Sequence, residues 1–133
     1  MILVDANVLM YAAGAEHPYK APSLALLKDV AMGEVEAAID AEVLQEVLHR
    51  YRAINRWTEG RYVFDSARRI FTTILPITVG VVDYARFLLD DCTGISARDA
   101  LHAAVVTTKG LEALCSYDRG FDQIKAIRRI EPG

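Results

Sequence analysis

The chain opens on Met1-Ile2-Leu3-Val4-Asp5-Ala6-Asn7, in which four apolar residues run without a break into a carboxylate. An apolar run of this length is typical of a short strand that is buried on both faces. Further strands are predicted at Val35–Ile39, Ile74–Val79, Leu111–Ser116 and Ala126–Ile130, with helical patterns between them. This alternation predicts an α/β fold, a three-layer sandwich in which helices flank a mostly parallel central sheet of four to five strands.

Length and composition indicate a folded protein with one domain, predicted to span residues 1–133. Hydrophobic residues make up 53% of the chain and charged residues 25%, the balance of a globular protein. No uncharged run is long enough to cross a bilayer, and the N-terminus lacks the basic start of a signal peptide. Cys92 and Cys115 do not make a disulfide framework. We therefore expect a cytoplasmic protein without a membrane partner.

The formal net charge of −3 argues against a protein that binds nucleic acid non-specifically over its whole surface. It does not exclude an enzyme that acts on nucleic acid. A cluster of carboxylates around a metal ion can make the total acidic while a local basic patch holds the phosphates.

Two carboxylates follow predicted strands. Asp5 ends the first strand, and Asp118 lies just past the fourth. Ligands of an open parallel sheet gather at the carboxyl ends of its strands, so both side chains would face one crevice if these strands are neighbours. Such a crevice is destabilised by repulsion between like charges unless a cation offsets it.

Two predicted helices can add acids to this crevice. Glu46 lies at the border of an apolar helical stripe, and Asp99 lies in the first turn of a helix that Ser96 opens. Each acid also has a purely structural interpretation: a helix cap for Asp5, a pair with Arg50 for Glu46, a capping box with Ser96 for Asp99, and a turn with Gly120 for Asp118. Their joint occurrence in an α/β order favours a shared site.

Three or four carboxylates without a cluster of Cys or His suit a hard cation, Mg²⁺ or Mn²⁺, and not zinc. A site of this kind can activate water and neutralise charge on a phosphodiester. The chemistry implied is metal-dependent phosphoryl hydrolysis. His102, one turn after Asp99, is interpreted as a hydrogen-bonded histidine in a buried helix in preference to a metal ligand.

Four segments resemble, in order, the motifs of PIN domains, in particular the VapC-type toxins of toxin–antitoxin pairs: Ile2–Leu9, Ala38–Val47, Arg98–Ala104 and Leu114–Asp122. Together they span nearly the whole chain. The resemblance implies a Mg²⁺- or Mn²⁺-dependent endoribonuclease that hydrolyses RNA phosphodiesters with a metal-activated water. It assigns the catalytic and metal-binding roles to Asp5, Glu46, Asp99 and Asp118.

The same resemblance places Asn7 and Ser116 at polar positions that support the metal shell. Glu42 competes with Glu46 for the second acidic position, and Asp122 could stand beside Asp118. The resemblance also implies a homodimer and a cognate antitoxin that blocks the crevice.

The segment from His49 to Arg69 carries six arginines interleaved with aromatic residues. We expect phosphate contact from some of these arginines, and the candidates for binding RNA are Arg50, Arg52 and Arg98. In VapC-like proteins the same pair of helices commonly receives the antitoxin, which the resemblance implies here too.

Two other functions fit parts of the sequence. A phospho-acceptor receiver domain has a similar size and alternation, but it needs adjacent acids after the first strand, where this chain has Ala6-Asn7. A catalytically inactive PIN-like scaffold that only binds RNA or protein is the stronger alternative. The intact acidic positions argue against the scaffold, and measured cleavage separates it from the enzyme.

Overall fold

The computed structural model describes residues 1–133 as a central sheet with helices on both faces. The five strands are β1 (Ile2–Val4), β2 (Ala37–Asp40), β3 (Ile74–Leu75), β4 (Ala113–Cys115) and β5 (Arg129–Ile130). The six helices are α1 (Ala6–Ala13), α2 (Lys20–Ala31), α3 (Ala41–Ala53), α4 (Trp57–Ile70), α5 (Val79–Asp91) and α6 (Ala97–Thr108). A short 3₁₀ helix, Arg119–Gln123, lies between β4 and β5.

The strands pair in the order β3-β2-β1-β4-β5, and all four pairings are parallel. Strand β1 lies at the centre, with Leu3 beside Ala38 of β2 and beside Leu114 of β4. The chain therefore runs outward from β1 in one direction and then crosses back to add β4 on the other side. The carboxyl ends of β1 and β4 form the crevice at this reversal, where open α/β sheets bind their ligands.

The core is divided between the two faces of the sheet. One cluster packs the four helices α1, α2, α3 and α4 against one face of the sheet through residues such as Val4, Ile39 and Val47. The other joins α5 and α6 to the opposite face through residues such as Leu3 and Leu114. Adjacent residues of β1 thus point into different clusters, as the alternation of side chains along a strand requires. The predicted three-layer sandwich is confirmed, and the sheet is entirely parallel.

Polar caps fix where several helices begin. Thr78 accepts a hydrogen bond from the Val81 amide at the start of α5, and Asp40 accepts one from the Val43 amide at the start of α3. Each cap satisfies an amide that the first turn of a helix leaves without an internal partner. Because Asp40 is also the last residue of β2, α3 starts directly at the end of its strand.

Helices α3 and α4 meet at a tight corner. Asn55, between them, has a left-handed backbone with φ of 60°, a conformation that Asn adopts more readily than most residues. Gly60 then lies against Tyr51, and a side chain at this position would collide with the Cβ of the tyrosine. The glycine therefore permits the close approach of the two helices.

All five strands are shorter than predicted, and the third and the last are shortened to two residues each. Of the predicted strand Ile74–Val79, only Ile74–Leu75 pairs with the sheet. Pro76 has no amide hydrogen to donate to a neighbouring strand, and Thr78 already caps α5. The last strand contains only Arg129–Ile130. None of the helices combines the length and apolar character that crossing a bilayer requires.

Candidate active site and metal centre

Asp5 lies where β1 ends and α1 begins. Its Oδ1 accepts a hydrogen bond from the Ala6 amide at 2.7 Å, so it caps α1 as the structural interpretation predicted. Its Oδ2 accepts one from the Ser116 hydroxyl at 2.6 Å. The carboxylate is buried and held by both contacts at the carboxyl edge of the sheet.

Ser116 connects the ends of β1 and β4. Besides donating to Asp5, its hydroxyl oxygen accepts from the Asn7 side-chain amide at 3.0 Å and from the Asp118 backbone amide at 3.0 Å. One buried hydroxyl therefore orients Asp5 and places the backbone of Asp118. Both residues predicted to support the metal shell, Asn7 and Ser116, contact the ends of these two strands.

Glu46 projects from α3, and its carboxylate is buried. Its Oε1 lies 3.3 Å from Arg98 Nε, and its Oε2 lies 3.4 Å from His102 Nε2. The expected contact with Arg50 is replaced by these two partners from α6. Glu46 thus joins α3 to α6 across the carboxyl edge of the sheet.

His102 is fully buried and faces three carboxylates. Its Nδ1 lies 2.7 Å from Asp40 Oδ2, and its Nε2 lies 3.4 Å from Glu46 Oε2 and 3.9 Å from Asp5 Oδ1. Burial alone would lower the pKa of the imidazole, but the hydrogen bonds to Asp40 and Glu46 outweigh it and hold the pKa well above its usual value. The predicted hydrogen-bonded histidine is present, and its proton balances the surrounding acids.

Asp40 is the residue of this network that sequence reasoning missed. Its Oδ1 caps α3 by accepting from the Val43 amide. Its second oxygen binds His102, which lies 62 residues further along the chain. The one signal in the sequence is the residue type, because an aspartate that caps a helix with one oxygen keeps a second oxygen free to bind another partner.

Asp99 and Asp118 form the more open side of the site. Asp99 caps α6 in a reciprocal box with Ser96, while Asp118 accepts from the Gly120 amide at 2.8 Å. Burial raises the pKa of Asp99, and the nearby charge of Asp118 raises it further. Both acids therefore serve as caps and at the same time repel each other.

The pKa of Asp5 is raised from 3.8 to about 6, chiefly because the group is buried. The proximity of Glu46 raises it further, whereas His102 and the Ser116 hydroxyl lower it. A buried carboxyl that loses its proton only near pH 6 lies in an environment that destabilises its charged form. A bound cation would remove that penalty.

All four predicted acids line one cavity of about 540 Å³, together with Asn7, Arg50 and Arg98. We call this the acidic cavity; its other walls are Ala6, Met10, His49, Ala53 and Ser96. Two of the three arginines predicted to bind RNA thus lie beside the carboxylates. The two strand ends and two helices that are predicted to share a site do contribute their acids to one cavity.

One of the predicted RNA-binding arginines and both alternative carboxylates lie outside the acidic cavity. Arg52 lies over the ring of Trp57, 4.6 Å from its centroid, in a separate surface depression. Asp122 is paired with Arg129 at 2.9 Å. Glu42 is half-buried on α3 but does not line the cavity, so the geometry favours Glu46 as the second acid.

The donor atoms suit a metal ion. The carboxylates of Asp5 and Glu46 and the imidazole of His102 lie within 4.8 Å of one another, a buried cluster that could hold one. The carboxylates are the available ligands, because both nitrogens of His102 already bind Asp40 and Glu46. With Asp99 and Asp118 on the same cavity, carboxylate oxygens predominate, the ligands that hard divalent cations prefer.

Comparison with known proteins agrees with the predicted family and fold. A family model described as the PIN domain matches residues 2–127. Among curated proteins, ribonuclease VapC13 of Mycobacterium tuberculosis is 43% identical over 130 residues, an alignment that covers 98% of this chain and 99% of that protein.

Solved structures share the fold. VapBC2 of Rickettsia felis, crystallised with a DNA fragment from its promoter, matches with a TM-score of 0.78 at 17% identity and covers 98% of both chains. VapC20 of Mycobacterium tuberculosis, described as a toxin that cleaves the sarcin-ricin loop, matches with a TM-score of 0.73 at 18% identity and covers 92% of this chain and 93% of that one. At these identities the two structures support the architecture alone.

Proposed function

Since this chain belongs to the PIN domain family, and within it to the VapC ribonucleases, we propose that it is a metal-dependent endoribonuclease and the toxin of a toxin–antitoxin pair. The observation that carries this proposal is the convergence of Asp5, Glu46, Asp99 and Asp118 on one cavity with two arginines. Four acids in one place repel each other, which has little structural use. The same acids have a clear use around a cation that binds phosphate.

The four carboxylates are the residues that would hold Mg²⁺ or Mn²⁺. Bound there, such an ion supplies a nucleophilic water near neutral pH and neutralises charge on the phosphodiester. Carboxylates and substrate phosphate are the typical ligands of Mg²⁺ in phosphoryl transfer. No side chain needs to act as the nucleophile.

The chain's own residues prepare the site for this chemistry. Ser116 orients Asp5 through its 2.6 Å hydrogen bond, and His102 orients Glu46 from the buried side. Arg98, half-exposed and 3.3 Å from Glu46, presents a guanidinium at the cavity wall. With Arg50 on the same wall, it can bind the phosphates on either side of the cleaved bond.

An antitoxin is the expected protein partner, as in the VapBC2 complex. A mainly apolar groove of about 320 Å³ lies between α1, α2 and α4, and it is lined by residues that include Leu9, Leu24, Tyr62 and Val63. Tyr62 is 67% exposed and Leu24 is 48% exposed. Helix α4 belongs to the segment that the sequence analysis assigned to the antitoxin, and we propose this groove as the surface that receives it.

The proposal extends to self-association and location. Helix α5 presents Val79, Val82 and Phe87 to solvent, and burial of these residues against a second copy would produce the expected homodimer. We place the protein in the cytoplasm, where its RNA substrates are found.

The decisive experiment is cleavage of a panel of structured RNAs with Mg²⁺, with Mn²⁺ and with chelator. Asp5→Asn and Asp99→Asn, each shown to be folded, should lose metal-dependent cleavage. Glu34→Gln is the matched control, because Glu34 is exposed in the loop before β2 and lies outside the acidic cavity. RNA binding without cleavage by the wild-type protein would favour the inactive scaffold instead.

A further inference from the structure

A second cavity, of about 440 Å³, adjoins the acidic cavity and shares Asn7, Met10 and Arg50 with it. Its remaining walls are Tyr11 at the end of α1 and the loop residues Gly14, Ala15, Glu16 and His17. We call it the aromatic cavity. Because Arg50 lines both spaces, a chain that passes through the acidic cavity can extend into the aromatic one.

Two rings form one wall of the aromatic cavity. The His17 ring lies 4.6 Å from the Tyr11 ring, measured between centroids, with the planes tilted by 37°. His17 is exposed and Tyr11 is half-buried. The His17 ring also packs against the Tyr19 ring, with centroids 4.8 Å apart. The parts of the Tyr11 and His17 rings that line the cavity can contact a planar ligand.

The rings are held from behind by a larger aromatic cluster. Tyr11 packs edge-on against Tyr19 and Tyr117, and these two stack on each other with centroids 4.0 Å apart. The buried Tyr117 hydroxyl is 2.8 Å from the Ser23 hydroxyl and donates to the Tyr19 carbonyl at 3.2 Å. Since Tyr117 directly precedes Asp118, the cluster is anchored to the same strand end as the catalytic candidates.

Local hydrogen bonds fix the loop that carries His17. The Tyr19 amide donates to His17 Nδ1 at 3.0 Å, which sets the direction of the imidazole and leaves its Nε2 edge free. Lys20 donates to the Gly14 carbonyl at the other end of the loop. The ring surface is therefore in place before a ligand binds, and little conformational entropy is lost on binding.

The charges identify which part of a nucleotide fits. Arg50 lies at the junction of the cavities, where a phosphate can reach it, whereas Glu16 lies on the wall of the aromatic cavity and repels phosphate. The aromatic cavity thus suits a neutral planar group that is attached to a phosphate in the junction. A nucleobase has this chemistry.

We propose that the aromatic cavity binds the base of a nucleotide next to the cleaved phosphodiester, with Tyr11 and His17 as the stacking surface and Arg50 on the adjoining phosphate. The subsite makes these residues determinants of substrate choice. This inference rests on the proposed ribonuclease function for its biological meaning, but RNA binding tests it separately.

Fluorescence anisotropy with two labelled octamers tests the subsite. One is oligoadenylate, and the other is a ribose-phosphate octamer without bases; both are measured in Ca²⁺, an oxygen-binding cation of the same charge as Mg²⁺. His17→Ala should weaken binding of oligoadenylate on the order of tenfold, the scale of one lost stacking contact, and leave binding of the abasic octamer unchanged. Tyr11→Leu should do the same, while Tyr62→Ala, an exposed aromatic in the groove on α4, should change neither.

Equal weakening of both octamers by His17→Ala would overturn the proposal, because the ring would then contact the backbone and not a base. So would unchanged binding of oligoadenylate, or failure of the wild type to bind either octamer. His17 lies on an exposed loop, so its variant is expected to fold, and circular dichroism checks this for both variants. If the base-dependent loss is seen but no RNA is cleaved with Mg²⁺, the subsite stands and the enzymatic function fails.

Discussion

The Nδ1 atom of His102 lies 2.7 Å from Asp40 Oδ2, and neither side chain is accessible to solvent. The other oxygen of Asp40 caps α3. One buried carboxylate therefore links the end of β2, the start of α3 and the middle of α6. His102, held by Asp40, in turn contacts Glu46. The orientation of Glu46 is thus set by Arg98 on the cavity wall and, from the buried side, by His102 and Asp40, which do not line the acidic cavity.

Replacement of Asp40 by alanine should cost much more stability than loss of a helix cap. Thr78→Ala removes an ordinary cap, that of α5, and should lower the free energy of unfolding by about 1 kcal/mol. Asp40→Ala removes a cap and also leaves the His102 imidazole buried without its main partner, which should cost about 3–5 kcal/mol. Urea denaturation of both variants at pH 7 measures the difference.

Similar losses for the two variants would mean that Asp40 acts only as a cap and that its contact with His102 adds nothing. Asp40→Ser separates the two roles, since serine keeps the cap but cannot reach the imidazole with a charge. An intermediate loss is expected for this variant.

The chemistry at each strand end explains how far the sequence could predict this site. Asp5 and Asp118 were placed correctly because short parallel strands bring their carboxyl ends to one edge, whatever the details of packing. The contact between Asp40 and His102 could not be derived, since it depends on how α6 packs across the sheet. Arg52 was grouped with Arg50 by spacing, but the turn of α3 directs it to Trp57. Local sequence patterns therefore predict which residues lie at a sheet edge or on a helix face. The packing of the helices on the sheet determines which side chains contact each other.

Removal of the Asp5 charge should stabilise the protein in chelator at neutral pH. The pKa of Asp5 is about 6 in the folded protein and near 3.8 when unperturbed, so between these values the folded state binds more protons and stability falls as pH rises. A shift of this size corresponds to about 3 kcal/mol. Relative to the wild type, Asp5→Asn should gain stability from pH 4 to pH 6 and keep that gain at pH 7.5.

His102 changes the stability of the protein with pH in the same direction as Asp5, because its pKa is raised as well. The stability from its charge is complete below about pH 6.5 and is lost as pH rises through the folded value. Wild type and Asp5→Asn both retain His102, but the Asp5 charge contributes to the raised pKa of His102. The difference between the two proteins therefore reports Asp5 together with its effect on His102. Addition of Mg²⁺ should stabilise the wild type more at pH 7.5 than at pH 5, since its ligands must lose their protons. A pH-independent difference would contradict the burial of a charged Asp5.

Glu46→Gln and Glu42→Gln test the identity of the second acid on one helix. Glu46 lines the acidic cavity and contacts Arg98 and His102, so its replacement should lower kcat/KM for RNA by about a hundredfold or more. Glu42→Gln should change it by less than about threefold, since Glu42 lies outside the cavity. Calorimetric titration with Mn²⁺ provides a second measurement, in which only Glu46→Gln should lose affinity. The reverse pattern would exchange the two assignments.

Arg98 and Arg52 form a matched pair for the basic contacts. Arg98 faces the acidic cavity beside Glu46, whereas Arg52 lies over Trp57 in another depression. Arg98→Ala should raise KM for RNA and reduce the slope of log affinity against log salt concentration by about 0.7, the value for one phosphate contact with a single strand. Arg52→Ala should leave this slope unchanged, because its guanidinium is already engaged by the indole ring. A loss of slope in Arg52→Ala alone would move the path of the RNA from the acidic cavity to the outer face of α3.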